Sequence, residues 1–162
     1  MTYAACSIAL IAAGIDLWSR RIPNQLVLVG LMIGLVIGAF TGGIDGLVNS
    51  SVGAITGFCL LLIPFIMGGM GGGDVKLMMA LGSILGPVSI FWVFVYACLA
   101  GGVMSLTVMI TSGRLRELAA DWLLPMGIAI AYPRSTVKQH LTIPYGVAIA
   151  VGVIIFIARG VI

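Results

Sequence analysis

Apolar segments recur along this chain from its second residue almost to its last, and that recurrence limits the fold more than any single motif. A helix needs about 20 apolar residues to cross a hydrocarbon core ~30 Å thick. Candidate crossings run from Thr2 to Leu17, Asn24 to Phe40, Leu47 to Met67, Val75 to about Gly86, Val88 to Ile110 and Leu141 to Ala158. A secretory signal would give one short apolar stretch followed by a polar mature chain, so these segments are the protein itself. Charged residues make up 8% of the chain, where a soluble domain carries about 25%. Water is therefore not the solvent for most of this surface. The expected fold is an all-α membrane protein, a polytopic bundle of six transmembrane helices forming a single domain over residues 1–162. The lipid bilayer is its first partner.

The fourth and fifth segments together hold 36 residues, Val75 to Ile110. That is about 54 Å of helix, too long for one crossing, and Gly86-Pro87 is the natural place to turn. Charge placement supports the even count, because cytoplasmic loops collect Lys and Arg. With six crossings and both termini outside, Arg20, Arg21, Lys76, Arg114, Arg116, Arg134 and Lys138 fall on the cytoplasmic side and Arg159 outside. Ser112 to His140 becomes the one larger cytoplasmic loop, in which Trp122 to Tyr132 lies in the interface or re-enters the bilayer.

The net charge of +3 comes from basic residues scattered between apolar segments, which form no stripe for nucleic acid. Cys6, Cys59 and Cys98 stand apart in apolar surroundings, without a C-x-x-C pair, and read as small core residues. His140 has no evident metal partners. No metal and no organic cofactor is expected.

The acids carry the chemistry. Of Asp16, Asp45, Asp74, Glu117 and Asp121, the first and third stand out. Asp16 closes the first apolar segment and Asp74 opens the fourth, so the threading brings both to the cytoplasmic edge. Ionisable groups at membrane depth are costly and mark function, and each acid is the other's obvious partner. Structural readings exist for both: Asp74, after Gly71-Gly72-Gly73, has the look of a helix N-cap, and Asp16 has Arg20 at i+4. Two carboxyls in a partly desolvated site share a proton, as an aspartyl protease requires. The glycines before Asp74 would let the backbone bend and a substrate strand approach.

Gly71-Gly72-Gly73-Asp74-Val75-Lys76-Leu77 resembles the GxGDxKL signature of the type IV prepilin peptidases, which are GxGD intramembrane aspartyl proteases. Asp16 followed by Arg20-Arg21-Ile22-Pro23-Asn24 resembles the family's first catalytic Asp and its basic loop. Ile143-Pro144-Tyr145-Gly146-Val147-Ala148-Ile149 resembles the motif opening its last helix. The resemblance implies an aspartyl endopeptidase of the bacterial inner membrane, with Asp16 and Asp74 as catalytic pair and Gly71 and Gly73 shaping the loop. It further implies a substrate, a prepilin or pseudopilin precursor whose short basic leader is cut from a hydrophobic helix at the cytoplasmic face. Lys76, Asn24, Pro144, Tyr145, Gly146, Glu117 and Asp121 are the possible supporting or substrate-binding residues. Unlike the bifunctional relatives, the chain shows no N-terminal zinc or methyltransferase region, and it resembles the short form that serves tight-adherence pili. Gly72 departs from the bulkier residue many relatives carry. Two other classes remain: a small ion or proton carrier with Asp16 and Asp74 as proton-binding sites, and a structural subunit of a secretion machine.

Overall fold

A computed structural model describes residues 2–19, 23–111 and 145–160. Every element among them is helical: α1 (Thr2–Ser19), α2 (Asn24–Ile66), α3 (Gly72–Leu85), α4 (Pro87–Thr111) and α5 (Tyr145–Ala158). The chain divides into two compact units, residues 1–101 with 144–162, and residues 102–143. Of the second, only the C-terminal turns of α4 lie among the described residues.

Helix α2 is continuous only nominally. Gly43 takes φ 59°, ψ −132°, a left-handed conformation that a glycine adopts without strain, and the helix folds back there. The two limbs, 24–42 and 44–66, then run antiparallel. Ser50 Oγ donates to the Gly34 carbonyl at 3.2 Å, and a side chain on Gly38 would run into the Gly46 carbonyl. The break falls inside the stretch between Phe40 and Leu47 that separates the second and third apolar segments.

Small residues set how closely the helices approach. Gly53 packs on Gly82, and Gly57 on the Met78 carbonyl, which lays the second limb of α2 antiparallel to α3. Gly34 meets Ser83 on the other side, so α3 lies against both limbs. Without a hydrophobic force between helices in lipid, this backbone proximity is what packing has to supply. Helix α3 ends at Gly86 (φ 81°), whose N–H donates to the Gly82 carbonyl at 2.9 Å, and Pro87 opens α4 in the first-turn position that tolerates its missing N–H. Gly152 of α5 sits against Val93 and Ala97 of α4.

The surface suits hydrocarbon. Leu28, Val29, Phe40, Ile55, Ile63 and Leu99 are exposed, among many other large apolar side chains. Exposed hydroxyls turn back onto their own helices: Ser7 donates to the Tyr3 carbonyl, Thr41 to Ile37, Ser51 to Leu47 and Thr56 to Val52, at 2.8–2.9 Å. Each such hydroxyl is satisfied within its own helix, as an apolar surrounding requires.

Among the described residues, two helices are long and apolar enough to cross a membrane, Asn24–Ile66, which folds back at Gly43, and Pro87–Val108. The sequence reading expected six crossings. α3, with 14 residues, is about 21 Å long, short of a full hydrocarbon core, and Tyr3–Trp18 and Tyr145–Ala158 are likewise shorter apolar helices. The cysteine reading needs correcting. Cys59 and Cys98 are exposed and Cys6 is half-buried, because a thiol facing lipid sacrifices little and need not be in the core.

Candidate active site

Both acids continue the buried stripe of the helix that carries them. On α1 the inward face is Ala5, Ile8, Ala9, Ala12 and Ala13, and the next position at helical spacing is Asp16. On α3 the inward face is Leu81, Met78, Leu77 and, one turn earlier, Asp74. The periodicity that buries the apolar residues therefore also buries the carboxyls, leaving Asp16 7% and Asp74 9% exposed. They are the buried acids among the described residues, whereas Asp45 is exposed.

Asp16 lies in the last turn of α1, where the helix dipole is unfavourable to a carboxylate. The opposing element is the start of α5. The Gly146 backbone N–H donates to Asp16 Oδ2 at 3.0 Å, across 130 positions of sequence. A methyl group on Gly146 would lie 2.8 Å from that oxygen and 3.1 Å from Asp16 Cβ and Cγ. Asp16 thus occupies the space that a side chain at Gly146 would need, and takes up an N–H that the first turn of α5 leaves unpaired.

Asp74 stands in the first turn of α3, and its carboxyl and that of Asp16 are near enough for their charges to interact. It is not the N-cap that its sequence context suggested. Gly71 holds that position in an extended conformation, and the helix starts at Gly72. From the third helical position the Asp74 carboxyl reaches back to the backbone of Gly71, which is the acidic half of a capping box. A side chain on Gly71 would begin 3.5 Å from Asp74 Oδ2. The sharp bend expected at the triple glycine lies earlier, at Gly68 (φ 76°).

The supporting residues divide. Lys76 Nζ donates to Asn24 Oδ1 at 2.9 Å, tying the start of α3 to the start of α2 on the exposed rim. Tyr145 lies beside the acids, within reach of the Asp74 charge. Its ring rests on Gly101 and its hydroxyl is 3.9 Å from Cys98 Sγ. The Cys98 contact went unnoticed in the sequence, where the only hint was the Gly101-Gly102 pair in an otherwise bulky helix. Gly73 is the second residue of α3, next to Asp74. Pro144, Glu117, Asp121, Arg20, His140 and the stretch Trp122 to Tyr132 lie outside the described residues.

Two buried carboxyls from separate helices, their charges within reach of each other where three helix termini converge, are the candidate acid–base pair of this fold. A family model, type IV leader peptidase family, matches residues 3–106, most of the chain and both acids. The chain belongs to the type IV leader peptidase family. It is therefore a peptidase, and its family and apolar helices mark it as a membrane protein. No curated protein and no solved structure matches it significantly. Tyr145 and Gly146 lie beyond the matched stretch, so α5 enters the candidate site through geometry alone.

Proposed function

We propose that this leader peptidase is an aspartyl endopeptidase that cuts the short basic leader from prepilin-like precursors at the cytoplasmic membrane face. The observation that supports the reading is the burial of two carboxyls, Asp16 from α1 and Asp74 from α3, near enough for their charges to interact, in a chain of this family. In this reading the pair acts with one carboxyl ionised and the other protonated. The ionised member takes a proton from water as the water oxygen attacks the scissile carbonyl carbon. The protonated member hydrogen-bonds the developing oxyanion, and a proton passes to the leaving amine as the C–N bond breaks. No metal or organic cofactor is required by this route.

The topology that fits is six crossings, with both termini outside and the acids at the inner rim. It puts Arg20, Arg21 and Lys76 on the cytoplasmic side, in keeping with the basic bias of such loops. In that arrangement Glu117 and Asp121 attract the basic leader. Changing both to amides is expected to raise KM more at low salt than at high, and a salt-independent KM would count against them.

The test uses purified protein in micelles and a synthetic precursor, a Lys/Arg-rich leader joined to a hydrophobic helix. Asp16→Asn and Asp74→Asn are each expected to fold and to lose cleavage. Full cleavage by either ends the aspartyl reading. A proton flux without cleavage would point to a carrier, and loss of activity only through loss of folding to a structural subunit.

A further inference from the structure

Gly146 is held in an unusual place for a glycine inside an apolar helix. It is buried, it sits in the first turn of α5, and what fills the space above its Cα is the carboxyl of Asp16. Its N–H is one of the donors that an α-helix cannot satisfy internally, and here the acceptor is Asp16 Oδ2 at 3.0 Å. A Cβ at 2.8 Å from that oxygen would be far inside van der Waals contact and would push the carboxyl away while keeping the N–H. Donor and vacancy together define one rotation of the Asp16 side chain.

We propose that Gly146 is a positioning residue for the peptidase reaction, its N–H and its missing side chain together holding the Asp16 carboxyl in register with Asp74. The inference rests on Asp16 being a reacting carboxyl. It extends the site to α5, which makes helix α5 a part of the catalytic framework rather than a packing element. The carboxyl is fixed by a backbone group on a rigid helix, so the alignment survives whatever substrate does to the loop before Asp74. Displacing a reacting group by as little as about 1 Å can lower the rate on the order of 100-fold.

Gly152 supplies the control. A methyl group there would meet Ala97 N and Val93 O at 2.8 Å, as severe a clash on the same helix but directed at α4, away from the acids. Cleavage of the Lys/Arg-leader precursor in micelles is measured for Gly146→Ala and Gly152→Ala beside thermal unfolding of each. Gly146→Ala is expected to lose about 10- to 100-fold in kcat with KM within about twofold. Gly152→Ala is expected to lower Tm while the folded fraction keeps kcat within about twofold. Wild-type kcat in Gly146→Ala, or equal kcat losses in the two variants, overturns the proposal.

Should Gly146→Ala not fold, amide exchange decides. The Gly146 N–H is expected to exchange at least about 10-fold faster in Asp16→Ala than in Asp16→Asn, which keeps a carbonyl acceptor. Equal protection in both overturns the proposal. A precursor still cut by Asp16→Asn would sink the aspartyl reading itself, whatever the exchange shows, so the two failures are distinguishable.

Discussion

A methyl group on Gly57 should unseat Asp74 from a distance. Gly57, on the second limb of α2, lies against α3 at Met78, one helical turn beyond Asp74. A Cβ there would stand 2.9 Å from the Met78 carbonyl carbon and 3.3 Å from Met79 Cα. Ordinary carbon contacts begin near ~3.5 Å, so α3 must retreat by at least about 0.6 Å, and by more to clear the Met78 carbonyl oxygen. Neither backbone can give way by a rotamer change, which makes this overpacking rather than accommodation, worth about 1–3 kcal/mol. For a chain of this size that corresponds to a Tm lower by roughly 2–4 °C per kcal/mol. Because the retreat carries the first turn of α3 with it, Gly57→Ala is also expected to lower kcat by about tenfold or more. The assay pairs precursor cleavage with thermal unfolding in the same micelles. Gly14→Ala is the reference, since a methyl there meets nothing within 4 Å, and it should keep kcat and match or exceed the wild-type Tm. Wild-type Tm and kcat in Gly57→Ala would refute the argument that glycine contacts between α2 and α3 set the position of Asp74.

Two further outcomes follow from local geometry. Gly86→Ala combines a left-handed φ of 81° with a clash 2.8 Å from Asn49 Nδ2, and should cost about 1–3 kcal/mol in an unfolding titration; an unchanged midpoint would contradict that backbone conformation. Lys76→Met should cost no more than about 1 kcal/mol, because its bond to Asn24 is exposed, and adding Asn24→Ala should cost little beyond it, a non-additivity that a double-variant cycle measures.

The apolar segments were legible because hydrophobic runs are local, and each described helix falls within or over one of them. Their boundaries followed equally local signals, as at Gly86-Pro87. What the sequence could not carry is contact between distant positions. That Gly146 faces Asp16, or that Gly57 faces Met78, depends on how helices pack, and a glycine in an apolar run looks the same whether it lines an interface or faces lipid. The misreadings have the same origin. Asp74 resembled an N-cap because cap chemistry is written in neighbouring residues, but the start of α3 moved the cap to Gly71. The cysteines resembled core residues because burial in water and exposure to lipid select the same side chains. The acids themselves could be singled out, since an ionisable residue in an apolar stretch is conspicuous without any partner in view.

The unity of the two carboxyls is best tested by the kinetic cycle of Asp16→Asn, Asp74→Asn and the double variant on one precursor. If the pair works as a single proton-sharing device, each single change lowers kcat/KM by about 10³-fold or more, and the double variant is no slower than the worse single. Losses that multiply, with each single variant retaining appreciable cleavage, would mean that the two acids act independently and that their meeting in the fold is not the source of the activity.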